Sequence, residues 1–229
     1  MRKKGKFFVI EGTDGSGKTA QFRKLVERLK KDGRDVATFD FPQYDKESSY
    51  FVREYLNGRY GTVKEVGPYK ASLFYALDRF DVAPQLKEWR EKRMVIVSNR
   101  YVASNMGHQG AKIKSGKKRS EFFVWLHDLE HKVLGIPRPD LTVILHVPAK
   151  ISQKLVDKKG KRKYIGGAKR DIHEADLSHL KQAESAYIEM AKAFPGEVRL
   201  IECVKNGKLL SIEDIHELLW GVVCEYLKK

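Results

Sequence analysis

The sequence predicts an α/β fold, a parallel sheet covered by helices, and three observations carry that expectation. Short β-branched or apolar runs recur between stretches of helical periodicity. The first run leads straight into a glycine-rich loop and then a helix. The chain is 41% apolar and 33% charged, which suits a globular protein and excludes a disordered or membrane-embedded one.

The predicted strands are Phe7 to Ile10, Val36 to Phe39, Met94 to Val97, Leu141 to Val147 and Val198 to Cys203. After the first, Phe22, Leu25, Val26 and Leu29 repeat at i, i+3, i+4 and i+7, the spacing of a helix with one buried face, which Asp32-Gly33 terminates. Near the C-terminus Ser211 and Asp214 are spaced as a capping box, and Ile212, Ile215, Leu218, Leu219, Val222 and Val223 form the stripe of a packing helix. The Lys/Gly-rich stretch Asp157 to Lys163, followed by Gly166-Gly167, reads as a mobile loop rather than a linker. Residues 1–229 are therefore expected to form one domain.

No apolar run is long enough to span a bilayer. The start Met1-Arg2-Lys3-Lys4 imitates the n-region of a signal peptide, but the apolar stretch after it is short and meets Glu11, so export is not expected. Cys203 and Cys224 lack CxxC spacing and suggest no disulfide framework, which fits a reducing cytoplasm. A formal charge of +15 raises the question of nucleic acid. The basic residues concentrate in Lys112 to Arg119 and Lys150 to Arg170, without the interleaved aromatics of a single-strand stacking platform, and serve small polyanions or solvent equally well.

The segment Gly12-Thr13-Asp14-Gly15-Ser16-Gly17-Lys18-Thr19 fits GxxxxGK[ST] at every position, directly after a predicted strand and before a helix. Such a loop turns successive backbone N–H groups inward, and the helix adds its positive N-terminal end, so phosphate oxygens meet donors throughout. Lys18 would reach the β- and γ-phosphates of a nucleotide, and Thr19 can place its hydroxyl on Mg²⁺. The loop alone does not choose a reaction, because GTPases, ATPases and kinases share it.

The acceptor side is sought further along the chain. Phe41-Pro42-Gln43-Tyr44 follows the second predicted strand, and Leu73 to Arg79 is helical, with Tyr75 and Arg79 four apart on one face. A ring there could stack on a base while the guanidinium grips that nucleotide's phosphate. Met94 to Val97 runs into Ser98-Asn99-Arg100-Tyr101-Val102-Ala103-Ser104-Asn105, which puts Arg100 at the C-terminal edge of a strand, where α/β sheets bind ligands. A neutral hydroxyl acceptor favours a carboxylate base at the end of strand two, whereas a monophosphate is already largely deprotonated at neutral pH. With Phe41-Pro42-Gln43 taken as that strand's end, a monophosphate acceptor is expected.

From the glycine loop to about Tyr187 the sequence resembles the thymidylate kinase family. Five landmarks carry the resemblance in order: the loop with its inner Asp14, Phe-Pro-x-Tyr at 41–44, the helix ending in Asp78-Arg79, the Arg-Tyr-Val-Ala-Ser-Asn run from Arg100, and Pro137-Arg138-Pro139-Asp140-Leu141. The resemblance implies a three-layer P-loop kinase with a five-stranded parallel sheet wrapped by helices. It further implies phosphoryl transfer from ATP to dTMP, giving dTDP and ADP with Mg²⁺ present, and usually a homodimer. Carried over residue by residue, Asp14 would accept a hydrogen bond from the deoxyribose 3′-hydroxyl, and Arg79 and Arg100 would bind the dTMP phosphate. Tyr75 would stack on thymine, Asn105 would read the base edge, Phe41 would line its pocket, and Ser104 with Tyr44 would complete the polar wall.

This chain departs from the family pattern at four places. Asn99 stands where an Asp usually precedes the Arg, so no negative charge is expected there toward Mg²⁺. Tyr75 replaces a common Phe, His108 stands where a Tyr often screens the 2′ side of the sugar, and Gln43 replaces a frequent Arg. In some members of the family the loop itself carries a basic residue for the moving phosphoryl group, and in others a lid arginine does. With Gly15-Ser16 uncharged, this chain resembles the second kind. That implies a basic lid at residues 150–170, with Lys158, Lys159, Lys161, Arg162 and Lys163 as candidates and Arg162 as first choice for its planar two-oxygen fork. The catalytic set is thus Lys18, Asp14, Arg100 and Arg162. His127 and His131, four apart around Glu130, have no third ligand at metal spacing and read as structural. The rival readings are another deoxynucleotide or deoxynucleoside kinase, and a non-catalytic P-loop protein that binds nucleic acid.

Overall fold

The computed structural model describes residues 4–157 and 177–228. Five parallel strands form its centre: β1 (Phe7–Glu11), β2 (Val36–Asp40), β3 (Val95–Asn99), β4 (Leu141–His146) and β5 (Val198–Glu202). Their order in the sheet is β2-β3-β1-β4-β5. Each predicted run is a strand, with ends shifted by a residue or so.

Parallel neighbours cannot be joined by hairpins, so helices carry the crossovers. Helix α1 (Lys18–Lys31) joins β1 to β2. Three helices, α2 (Tyr50–Leu56), α3 (Val63–Asp81) and α4 (Ala83–Glu91), lie between β2 and β3. Helices α5 (Val102–Gly110) and α6 (Gly116–Asp128) precede β4, and α7 (Ala149–Asp157) and α8 (Leu177–Ala193) precede β5. A small hairpin, β6 (Val204–Lys205) with β7 (Lys208–Leu209), leads to α9 (Ile212–Leu227).

Local chemistry sets the ends. Helix α1 stops at Asp32, where Gly33 takes φ 75° and the Arg34 N–H returns to the Leu29 carbonyl at 3.1 Å. Helix α9 begins as the capping spacing predicts, with the Asp214 N–H donating to Ser211 Oγ at 3.0 Å. Helix α3 is broken at Gly67, before Pro68, and the stretch after the break carries the site residues.

Every residue of β1 is buried, because both sheet faces are covered. Side chains alternate across the pleat. Phe7 and Val9 pack with Leu86, Met106, Phe122 and Tyr187 on one face. Phe8 and Ile10 pack with Leu25, Leu29, Ile215 and Leu219 on the other. The core thus fixes β1 between β3 and β4. At that point successive connections leave in opposite directions, and a crevice opens beyond the C-terminal strand ends. The glycine loop follows β1 and Arg100 follows β3, so both stand on this crevice.

Cys203 and Cys224 are unpaired. Among the described residues no helix is long and apolar enough to cross a membrane.

Candidate active site

The loop between β1 and α1 is shaped by close backbone approach. Gly17 caps α1 in the left-handed region at φ 82°. Gly15 has φ 84°, and a Cβ there would run into the Ser152 carbonyl of α7. The first N–H groups of α1 have no acceptor inside the helix and open onto the loop. Lys18 is only 6% exposed and folds back, donating to the Thr13 carbonyl at 3.1 Å and to Asp14 Oδ1 at 3.3 Å. The buried Ser16 hydroxyl has no partner among the described residues. A helix N-terminus, a buried lysine and an orphaned hydroxyl together suit an anion with many oxygens, so the loop fits a polyphosphate.

Beside the loop lies a cleft of about 390 Å³, the size of a small-ligand site. Asp14, Lys18, Thr19, Phe41, Tyr44, Tyr75, Arg79, Arg100, Ser104, Asn105 and His108 all face it. Six elements or their ends contribute these side chains, and every acceptor-side residue expected from the sequence is among them.

Two arginines converge on the cleft, and each is held by a carboxylate. Arg100 sits at φ 66°, an uncommon backbone state for a side-chain-bearing residue and a frequent mark of functional sites. Its Nη2 donates to Asp14 Oδ1 at 2.5 Å and its Nη1 to Ser104 Oγ at 3.3 Å. Burial opposes the charge of Arg100, but Asp14, together with Tyr187, Glu11 and Tyr44, outweighs it and holds the pKa above the ordinary value. Arg79 is 2% exposed and forms a two-pronged pair with Glu130, both contacts at 2.6 Å. Its remaining Nη1 donates to the Tyr101 carbonyl at 3.4 Å.

Beneath the arginines is Glu11, fully buried at the end of β1. It accepts from the Tyr101 N–H at 2.7 Å, from Ser104 Oγ at 2.9 Å and from the Tyr187 hydroxyl at 3.0 Å. Burial raises its pKa, against the pull of Arg100 and these donors. Glu11 thereby fixes the start of α5, from which Ser104, Asn105 and His108 project. His108 Nε2 lies 3.0 Å from Arg100 Nη1. An arginine can only donate, so Nε2 is the bare nitrogen of this ring. Burial first, and Arg100 second, push its pKa well below the usual histidine value, leaving His108 neutral at pH 7.

With a polyphosphate cradle and a second cationic centre on one cleft, relatives can be compared. The thymidylate kinase family profile matches residues 10–216. The chain belongs to the thymidylate kinase family. A thymidylate kinase of Mycobacterium tuberculosis H37Rv is 30% identical over 183 residues, covering 80% of this chain and 84% of that one. A probable thymidylate kinase of Thermococcus onnurineus is 29% identical, covering 97% and 99%. Among solved structures, that of a thymidylate kinase from Candida albicans superposes with a TM-score of 0.76 at 20% identity, covering 99% of this chain and 94% of that one. This last likeness concerns the fold, a five-stranded parallel sheet flanked by helices as in three-layer P-loop kinases.

Several family-pattern positions hold contacts that the sequence did not disclose. Asp78 accepts from the Gln43 N–H at 2.9 Å and from Ser48 Oγ at 2.6 Å, and so anchors the turn after β2. The Gln43 side chain turns to the same Asp78, 3.4 Å from its carbonyl, rather than toward the cleft. Asn105 Nδ2 is spent on the Ser72 carbonyl at 3.1 Å and on Glu130 at 3.3 Å. Only its carbonyl end remains to meet a base.

The end of strand two needs correction. β2 ends on Asp40, which lines the cleft, so that strand does bring a carboxylate. Asn99 Nδ2 donates to Asp40 Oδ1 at 2.9 Å. The signal was in the sequence: the run Val36 to Phe39 is followed at once by Asp40, at the strand edge where ligands bind. Glu130 and Glu11, also missed, are legible only from the fold. The rings of His127 and His131 are 4.9 Å apart, and His131 Nδ1 faces the Ile136 carbonyl at 2.9 Å. Among the described residues, no three or more His, Cys, Asp or Glu side chains gather into a group that could hold a metal ion. Arg162 and most of the expected lid, 158–170, lie outside the described residues.

Proposed function

We propose that this cleft moves the γ-phosphoryl group of ATP onto the phosphate of dTMP, giving dTDP and ADP. The observation that carries the reading is the second cationic centre: Arg79 and Arg100 face the same cleft as the loop Lys18, and Asp14 contacts both Arg100 and Lys18. A nucleotide that brings its own phosphate fits such a wall better than an uncharged nucleoside does.

In this reading the loop N–H groups and Ser16 hold the ATP phosphates. Lys18 exchanges Thr13 and Asp14 for phosphate oxygens. Arg100, pre-oriented by Asp14, Ser104 and His108, grips the acceptor phosphate, and Arg79 lends its remaining N–H from behind. Tyr75 stacks on the thymine, Asn105 offers its carbonyl to the base edge, and Phe41 and Tyr44 close the pocket. Thr19, with acceptors at the ends of β2 and β3, suits Mg²⁺, which when bound neutralises charge between the donor phosphates. Transfer then depends on placement and fixed charge. Arg162 in the basic lid is assigned to the moving phosphoryl group, and residues 1–229 are read as one domain.

The reading also includes a homodimer. Tyr69, Leu73, Leu77 and Phe80 are each more than 40% exposed along one side of α3, and a second copy of this face would cover them. Sedimentation velocity checks this. A reducing cytoplasm suits two free thiols.

The test is a coupled ADP-release assay across nucleoside monophosphates and nucleosides. Saturable release with dTMP, above all others, is expected. No monophosphate-dependent release, or a preference for thymidine over dTMP, would overturn the reading.

A further inference from the structure

The ends of β2 and β3 meet on the cleft. Asp40 and Asn99 are register partners on adjacent parallel strands, and both line the cleft with Lys18 and Thr19. Asp40 is exposed to the cleft, whereas Asn99 is 5% exposed. A carboxylate only accepts, so the contact at 2.9 Å turns the Asn99 NH₂ toward Asp40 and its carbonyl oxygen away. That oxygen is buried and has no partner among the described residues. A buried acceptor without a donor is costly, and a native site that keeps one is built for something that arrives.

The arrangement therefore offers a carboxylate on the cleft that the loop threonine also lines, backed by an amide that orients it. A small hard dication gives up its water reluctantly and binds through a few direct oxygens, its retained water donating to acceptors around it. A purely structural pair would satisfy both ends of the amide. A general base for a hydroxyl acceptor would not need Asn99, and the cleft already carries two arginines for an anionic acceptor.

We propose that Asp40, oriented by Asn99, is the positioning carboxylate for the nucleotide-bound divalent cation. Asp40, held by the Asn99 amide, accepts hydrogen bonds from water on a cation held at Thr19. The negative charge absent from β3 at Asn99 is thereby delivered from β2, one strand over. The inference rests on the phosphoryl-transfer reading for its metal–nucleotide complex, but it concerns the donor side alone.

The test is Mn²⁺ binding to the full-length protein with ADP, followed by electron paramagnetic resonance, so that no acceptor and no turnover are involved. Asp40→Asn is expected to weaken Mn²⁺ in the ADP complex by about 10- to 100-fold, while ADP binding without metal changes by less than about threefold. The exchange Asp40→Asn with Asn99→Asp rebuilds the pair with its polarity reversed, and should bring Mn²⁺ affinity back to within about threefold of wild type. Asp40→Ser serves the same measurement if thermal unfolding shows Asp40→Asn to be unstable. Unchanged Mn²⁺ affinity in the single variant, or an exchange no better than the single variant, would overturn the proposal. A wild-type protein that binds Mn²⁺ as expected but fails to phosphorylate dTMP would overturn the functional reading and leave this one standing.

Discussion

The phosphate cradle takes its shape from contiguous backbone, residues 12–19, while the acceptor wall facing it is assembled from side chains on β2, α3, β3 and α5. In the cradle the donors are N–H groups that the loop must present once its glycines permit the turn. On the wall each working cation needs a distant carboxylate: Arg100 leans on Asp14, 86 residues away, and Arg79 on Glu130, 51 residues away. The cradle's backbone donors therefore depend on its own glycines rather than on distant side chains. The wall is a coupled network in which no member can be altered alone.

The largest expected effect lies in the cradle's one cationic side chain. Lys18→Ala should lower kcat by at least about 10²–10³-fold, as the loss of one pre-placed charge donor does elsewhere, with the fold retained. Turnover near wild type in the ADP-release assay would break the comparison, because the cradle would then work by backbone alone.

Arg79→Ala probes the wall and should show its coupling. The change strands Glu130, which is fully buried, and breaking such a pair costs about 3–5 kcal/mol of stability. The KM for dTMP should rise about 10- to 100-fold, the value of a lost charge-assisted contact, with that for ATP little changed. Equal rises for both substrates, or a variant as stable as wild type, would contradict the network.

This contrast also explains what was legible in the sequence. Strand runs such as Phe7 to Ile10 and Val36 to Phe39 announce themselves by local composition, and the cradle by a fixed local spacing. The helical pairing of Tyr75 with Arg79, and Arg100 at a strand end, could be read for the same reason. Glu130 could not, since it lies where α6 passes into a π-turn and only the tertiary fold carries it under α3. Glu11 looked like the residue that ends an apolar strand, and only the packing of α5 and α8 makes it a hub. Asp40 escapes that reading because Phe41-Pro42-Gln43, just beyond it, is taken as the strand's end, whereas β2 ends on Asp40 itself.

The smallest expected effect falls outside the cleft, where the chain enters and leaves the segment 158–176. His146, as the imidazolium, donates through both ring nitrogens, at 2.6 Å to Glu202 and 2.9 Å to Glu184, and Glu184 also accepts from the Ala149 N–H of α7. Burial opposes its charge, but the two carboxylates prevail and raise its pKa above the ordinary histidine value. The folded state thus binds the proton more tightly than the unfolded state. The contribution is full below the unfolded pKa near about 6.5 and is lost as pH rises through the higher folded value. His146→Asn should lower Tm by no more than about 2–4 °C at pH 6, since solvent screens the half-open pair, and by less at pH 9. A larger loss at pH 9 would reverse the sign and contradict a stabilising charged His146 between Glu184 and Glu202.

The central claim is that the wall recognises a phosphate through Arg100 while the cradle alone holds the donor. Calorimetric titration of dTMP, thymidine and ADP into wild type and Arg100→Ala tests it most directly. The account predicts that wild type binds dTMP at least about 10- to 100-fold more tightly than thymidine, and that this gap collapses in Arg100→Ala while ADP affinity stays within about threefold. Equal affinities for thymidine and dTMP in wild type, or a loss of ADP binding as large as that of dTMP in the variant, would contradict it.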